Sequence, residues 1–170
     1  RIAVAKSDFP RAIELHKKAL EMVVLEFKPF YMAHISNNYR LWWKIAESEL
    51  WLEQAERALI QLPTARSGSI QERNILRSQR FVLSLRAWAE QRRGNWPKAI
   101  EAIEQSETVA RRVVQMPFPL IPQDTAVIRT YIVDDLAYAL SHKVFVYRNA
   151  GRLGEAEQAL REYLRFSREI

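Results

Sequence analysis

Apolar residues recur along the chain at the spacing of an α-helix. Leu76, Leu83 and Ala87 share one stripe, and Leu140 and Tyr147 belong to a second. No segment alternates between apolar and polar residues over the length of a strand. The pattern therefore predicts an all-α protein of about six or seven helices and no sheet.

Capping residues, glycines and prolines divide this pattern into segments. We predict helices over residues 9–27, 31–62, 70–93, 95–115, 124–150 and 154–168. The range 31–62 is compatible with one helix or with two joined near Ser48. Ser69 begins a capping-box pattern before Ile70. The Pro-rich segment 116–122 predicts an extended connection, after which Asp124 or Thr125 is the expected N-cap.

Two segments of the chain repeat the same helix start. Residues 8–14 read Asp-Phe-Pro-Arg-Ala-Ile-Glu, and residues 95–101 read Asn-Trp-Pro-Lys-Ala-Ile-Glu. In both, Asp or Asn is expected to cap a helix. Pro lies in the first turn, where its missing N–H costs nothing, and Ala-Ile begins the buried face. The match predicts that both segments start equivalent helices.

Two looser copies extend the repeat. Residues 151–160 begin at a glycine turn, whereas residues 52–59 lack the glycine. The four copies align on Ala12, Ala55, Ala99 and Ala156. Their spacings of 43, 44 and 57 residues suit two helices and two connections. The sequence therefore predicts units at approximately 1–28, 30–66, 67–116 and 122–170.

From Gly151 to Leu160 the chain resembles a tetratricopeptide hairpin. In that family the first helix carries large apolar residues, a Gly ends it, an aromatic or apolar residue follows two positions later, and a small Ala lies near the start of the second helix. In the last unit this order is matched by Leu140, Tyr147, Gly151, Leu153, Ala156 and Leu160. In the preceding unit it is matched by Leu83, Ala87, Gly94, Trp96, Ala99 and Ile103.

The chain also departs from that family. Val144 stands where a small residue is expected, Glu90 replaces a large aromatic residue, and the spacing exceeds the family's period of about 34 residues. The chain is thus similar to a degenerate or elongated tetratricopeptide-like (TPR-like) repeat, as in the sensor and interaction segments of large bacterial regulators of the MalT type. The resemblance implies one domain of antiparallel helical hairpins stacked as an α-solenoid, with each first helix on the concave surface.

Charge and composition add limits to this prediction. Lys and Arg total 26 against 20 acidic residues, for a net charge of +6, but the two signs are interleaved. Cys is absent, so disulfide and thiolate chemistry are excluded. The apolar runs fall short of the roughly 20 residues of a membrane-spanning helix, so we expect no membrane insertion and a cytoplasmic location. The start at Arg1 indicates a fragment of a longer protein.

Three arginines form the first candidate binding feature. Arg73, Arg77 and Arg80 follow i, i+4 and i+7 spacing and lie on one helical face, opposite Leu76 and Leu83. One interpretation is a solvated face. The other is a site for an acidic peptide, a terminal carboxylate or a phosphate, because guanidinium groups bind such anions in a bidentate manner.

Aromatic residues form the second candidate. Tyr39, Trp42 and Trp43 lie close together, with Trp51 nearby. Such a cluster is typical of a core between stacked hairpins. Exposed, the same side chains would suit a partner-binding groove, because Trp and Tyr contribute strongly to interfaces.

Catalytic and metal chemistry find no support in the sequence. His16, His34 and His142 fall in separate segments without metal-binding spacing. No phosphate-binding glycine loop or nucleophile motif is found. We therefore expect no catalytic, metal or cofactor residues.

The sequence favours a non-catalytic scaffold or sensor module that binds a protein or peptide on a helical-repeat surface, with an acidic segment among the candidate partners. Two alternatives stay open. A nucleic-acid-binding array would use an Arg-rich face, and its affinity would fall steeply with salt. A small-molecule-sensing domain of a transcriptional regulator would place tryptophans around an apolar pocket.

Overall fold

The computed structural model describes residues 8–116 and 122–168, with side chains in the second range from residue 133 onwards. These residues form seven α-helices, one short 3₁₀ helix at Leu25–Phe27, and no strand. The α-helices are α1 (Phe9–Met22), α2 (Lys28–Leu41), α3 (Ile45–Ile60), α4 (Ile70–Arg92), α5 (Trp96–Gln115), α6 (Pro122–Asn149) and α7 (Leu153–Arg168). The all-α class is confirmed. No helix in the described ranges is long and apolar enough to cross a membrane.

Three helix pairs share the same turn. In the α4–α5 turn, the N–H of Gly94 donates to the carbonyl of Gln91 at 3.0 Å, and the N–H of Asn95 donates to that of Glu90 at 2.9 Å. The turns around Trp43 and Gly151 repeat both bonds at the same offsets. This is a Schellman arrangement, which satisfies the last carbonyls of a helix and reverses the chain. The pairs α2–α3, α4–α5 and α6–α7 are therefore locally equivalent.

The residue at the centre of each turn adopts a left-handed conformation. Its φ is 72° at Gly94 and 75° at Gly151, whereas the first turn places Trp43 there with φ 61°. The missing glycine explains why the sequence did not locate the break inside 31–62. That range holds two helices joined at residues 42–44 rather than near Ser48.

The turn geometry also corrects the alignment of the second unit. Ala99 follows the turn residue Gly94 by five positions, and Ala156 follows Gly151 by the same number. Both alanines are buried. In the first pair this position belongs to Ser48, not to Ala55. Ala55 is fully buried, but seven residues further along its helix.

Consecutive helices pack against each other, and alternate helices also touch. Contacts join α2 to α4 and α4 to α6, in addition to each neighbouring pair. One apolar cluster includes Ala33, Leu52 and Phe81 from α2, α3 and α4. Another joins Ala99 and Val146 of α5 and α6. α4 contributes to both clusters, through Phe81 and Ala87, and so links them.

Two pairs of serine hydroxyls bridge the paired helices. Ser36 Oγ of α2 donates to the carbonyl of Ser48 at 2.8 Å and lies 3.2 Å from its Oγ. Ser84 Oγ of α4 lies 2.9 Å from Ser106 Oγ of α5. All four side chains are buried, and each hydroxyl has a hydrogen-bonding partner on the paired helix.

Helix starts show mixed outcomes. Asp8 accepts from the N–H of Arg11 at 3.1 Å and Ser69 accepts from that of Glu72 at 3.0 Å, so both caps are confirmed. Asn95 makes no side-chain cap, and its amide nitrogen donates to Glu90 at 3.1 Å.

Two helix boundaries also differ from prediction. The first helix ends at Met22 rather than Phe27, because Val23 and Val24 are extended. The sixth begins at Pro122, so Asp124 and Thr125 lie inside it instead of capping it. Most of the predicted 116–122 connection falls outside the described residues.

Candidate functional site

A groove runs along the surface where α2, α4 and α6 meet. It contains two cavities, which we call proximal and distal, of about 210 and 300 Å³. All their lining residues come from these three helices, and none from α1, α3, α5 or α7. Tyr138 of α6 belongs to both. The groove is thus built from the first helix of each pair.

Periodicity explains why these side chains converge. Most groove residues lie at 77, 81, 84, 88 and 91 on α4 and at 134, 138, 142, 145 and 149 on α6, and Arg80, Leu85 and Asp135 lie beside these rows. These spacings of three and four keep each set on one helical face. Phe81 and Leu85 of α4 also belong to the buried apolar cluster, so the core itself forms part of the groove's wall.

The proximal cavity is organised by one carboxylate between two guanidinium groups. Asp135 accepts from Arg77 Nε at 2.7 Å and from Arg80 Nη2 at 2.5 Å. Only 6% of the Arg80 side chain and 14% of the Asp135 side chain are exposed. Burial lowers the pKa of Arg80, and the adjacent Asp135 opposes that shift. This triad links α4 to α6. Asp134 also lines the cavity, so its two arginines are matched by two carboxylates.

The arginine face predicted to oppose the apolar stripe is not solvated. Arg73 and Arg80 are 4% and 5% exposed, and Arg77 is half-buried. Asp135 of α6 binds Arg77 and Arg80, so α6 covers this part of the face. Arg77 and Arg80 line the proximal cavity, whereas Arg73 lines neither cavity. Whether any of them contacts a partner stays a prediction.

The predicted aromatic cluster lies at the α2–α3 turn. Tyr39 stacks on Trp42 with 6.5 Å between ring centroids, and Lys44 Nζ lies 4.1 Å from the Trp42 centroid. Trp43 is 80% exposed. None of the three lines the proximal or distal cavity. Their binding role therefore stays a prediction, separate from the groove.

The distal cavity combines a cation with aromatic walls. Arg40 of α2 places its guanidinium 4.9 Å from the ring centroid of Trp88, and Phe145 and Tyr138 complete the aromatic lining. Arg40 donates to Asn37 Oδ1 from Nε and Nη2, at 3.0 and 2.8 Å. Among the described residues no carboxylate pairs with Arg40. Burial lowers its pKa, but an arginine remains charged at neutral pH.

A chain of amides fixes the imidazole of His142 at this cavity. Asn149 Nδ2 donates to Gln91 Oε1 at 3.5 Å, which leaves the Gln91 amide nitrogen to donate to His142 Nε2 at 3.3 Å. The neutral ring then carries its proton on Nδ1. Nδ1 is buried and has no hydrogen-bond partner within the described residues. Burial, followed by the charges of Arg40 and Arg80, lowers the pKa of His142 from 6.5 to about 4.

Sequence reasoning missed Arg40, Trp88, Tyr138 and His142 as groove residues. A signal was present, because polar and aromatic residues on α4 and α6 recur at helical spacing beside the apolar stripe. From the sequence alone, these polar and aromatic residues cannot be distinguished from an ordinary solvated face, because the sequence does not show that α2, α4 and α6 lie side by side.

The described residues bring no three potential metal-ligating side chains together. His16 and His34, which lie in different segments, do stack with 5.0 Å between ring centroids. His34 also lines the proximal cavity.

No protein-family model, curated protein or solved structure matches this chain.

Proposed function

We propose that this chain is a non-catalytic binding module whose groove holds an extended segment of a partner protein. The observation that carries the proposal is that two adjacent cavities, joined through Tyr138, are lined only by α2, α4 and α6. A segment lying across them would touch three helices at once. In this proposal the three helix pairs form a TPR-like array with these helices on its inner side.

The side chains of the groove suit a protein ligand. Tyr138 is 44% exposed and Phe145 is 54% exposed, so both offer aromatic surface that binding would bury. The Arg77–Asp135–Arg80 triad and the amide chain on His142 hold their walls in place before a ligand arrives. Little side-chain entropy would then be lost on binding. The cation Arg40 favours a partner that carries negative charge.

A peptide library displayed on phage tests this proposal. We expect wild-type protein to enrich a sequence family whose binding weakens about 10-fold or more in Phe145→Ala or Tyr138→Ala, because each removes an anchor at the groove. Trp43→Ala is the matched control, since it removes an exposed aromatic outside both cavities. Circular dichroism checks that all variants are folded.

The outcome separates the competing sites. Peptides that lose binding in Trp43→Ala but not in the groove variants would move the site to the α2–α3 turn. A library that yields no peptide dependent on Phe145 or Tyr138 would contradict the groove.

Small-molecule sensing is a second candidate, because the distal cavity, with Trp88 in its wall, has about the smallest volume typical of ligand pockets. Nucleic-acid binding has less support, because Asp135 offsets part of the charge of Arg77 and Arg80. Strong salt dependence of binding to a random DNA or RNA oligomer, lost in an Arg77→Gln variant, would favour it.

A further inference from the structure

Two polar groups at the distal cavity point to the kind of side chain it receives. Arg40 is the first: it is held by Asn37 and lies over Trp88, with no carboxylate partner among the described residues. The nearby Asp135 is already bound by Arg77 and Arg80. Within the described part of the chain, the positive charge of Arg40 at this cavity therefore has no carboxylate paired with it.

His142 is the second. The amide chain through Gln91 and Asn149 directs the imidazole proton to Nδ1, and that buried N–H has no acceptor in the described part of the chain. A buried donor without an acceptor costs free energy that a ligand oxygen can recover. An anion that accepts from both Arg40 and His142 would satisfy both groups.

We propose that the distal cavity is a subsite for the carboxylate of a Glu or Asp side chain in the bound segment, held by the Arg40 guanidinium and the Nδ1–H of His142. This inference rests on the proposed function. A side-chain carboxylate at this position lets the bound segment continue in both directions, whereas a terminal carboxylate would end the segment at Arg40. Trp88 and Phe145 would pack on the apolar parts of the residues flanking the carboxylate.

Binding requires a local movement. Nδ1 has no contact with solvent in the free protein, so a carboxylate reaches it by displacing a neighbouring side chain. Tyr138 is the side chain that borders both cavities, and its ring centroid lies 5.9 Å from that of His142. Its exposure allows it to turn without unpacking the core.

A matched pair of peptides tests the subsite. The probes are acetyl-Phe-Glu-Phe-amide and acetyl-Phe-Gln-Phe-amide, which differ only in the carboxylate. We expect the Glu peptide to bind wild-type protein about 10-fold more tightly in calorimetry, because bonds to a charged group are stronger than neutral ones. Saturation should also shift the side-chain ¹⁵N resonances of His142.

Two arginine variants identify the cation responsible. Arg40→Gln should abolish the preference for Glu. Arg92→Gln should retain it, because Arg92 also lies over Trp88, at 5.3 Å, but does not line the cavity. Each variant removes one guanidinium group that lies near the ring of Trp88. Comparing them therefore separates a direct contact between Arg40 and the carboxylate from a general attraction between positive charge and the peptide. If Arg40→Gln unfolds, the Glu and Gln peptides on wild-type protein still decide the question.

Several results would overturn the subsite. These are equal affinity for both peptides, equal loss of preference in the two arginine variants, or binding of the free acid acetyl-Phe-Gln-Phe as tight as that of the Glu peptide. Failure of both tripeptides to bind would overturn it as well. If phage peptides still depend on Phe145 or Tyr138 in that case, the proposed groove stands and only the carboxylate subsite falls.

Discussion

Trp43 occupies a left-handed backbone position that two glycines fill in the equivalent turns. A side chain with a Cβ adopts this conformation at a cost of about 1–2 kcal/mol. The tryptophan is 80% exposed, so packing offsets little of that cost. The turn forms nonetheless, because its two backbone hydrogen bonds and the packing of α2 on α3 determine it.

Replacing Trp43 with glycine should therefore stabilise the protein. For Trp43→Gly we expect the free energy of unfolding to rise by about 0.5–1 kcal/mol, after the extra backbone entropy of glycine is subtracted. Urea denaturation measures it. A loss of stability would show that the Trp43 side chain contributes packing that its exposure does not reveal.

The reverse change at the equivalent turn should destabilise. Gly94→Ala should lower the free energy of unfolding by about 1 kcal/mol, because φ is 72° although no atom lies within 4 Å of the added Cβ. Gly154→Ala is the control. It has equally open space and lies in α7 with no positive φ, so it should be neutral or slightly stabilising.

At the scale of the element, the sequence predicted helices well and their junctions less well. Apolar spacing, prolines and the caps at Asp8 and Ser69 were sufficient for most helices, because these signals are local. The break at residues 42–44 was misplaced because a tryptophan stands where a glycine would mark the turn. The end of α1 at Met22 was missed because apolar periodicity continues through Val24 and Phe27.

The small alanine near the start of α5 allows a close helix crossing. Ala99 is fully buried against Ala87 and Val146 in one apolar cluster. Ala99→Leu should lower the free energy of unfolding by about 1–3 kcal/mol, because the added carbons overpack that crossing. Lys98→Leu, at the exposed neighbouring position, is the matched control. Thermal denaturation with equal midpoints for the two variants would contradict the prediction.

The link between α4 and α6 depends on Asp135. Asp135→Asn should destabilise by about 2–4 kcal/mol, because it leaves the buried Arg80 guanidinium without a counter-charge. Glu157→Gln should cost less than about 0.5 kcal/mol, because its pair with Arg161 is largely exposed. Chemical denaturation compares them. Equal small losses would mean that water reaches Arg80.

At the scale of the whole molecule, the groove could not be predicted from the sequence. Its residues come from three helices, and local patterns carry no information on which helices touch. The sequence did single out Arg77 and Arg80, which line the proximal cavity. It assigned them to a solvated face or an anion site, because Asp135, their partner, lies more than 50 residues away.

The burial of His142 among these helices predicts that the stability of the protein depends on pH. In the folded protein, burial and the charges of Arg40 and Arg80 lower the pKa of His142 to about 4 from 6.5. Between these pH values the unfolded chain binds a proton that the folded chain does not. The free energy of unfolding should therefore fall as pH decreases from about 6.5 to 4, by about 3 kcal/mol in total.

His142→Gln should remove this contribution. Urea denaturation at a series of pH values measures the slope for both proteins. Burial also lowers the pKa of His16, and that residue remains in the variant, so the difference between the two slopes isolates His142. Parallel slopes would show that His142 is protonated equally in the folded and unfolded states.

The two buried serine pairs have a consequence for how these helices can move. Apolar packing already favours one register of a helix pair, because the side-chain ridges of one helix fit the grooves of the other. Ser36 against Ser48 and Ser84 against Ser106 strengthen that preference, because a slip would separate buried hydroxyls from these partners. Each of these two helix pairs should therefore keep a single register. When a ligand binds, helices should shift between the pairs rather than within them.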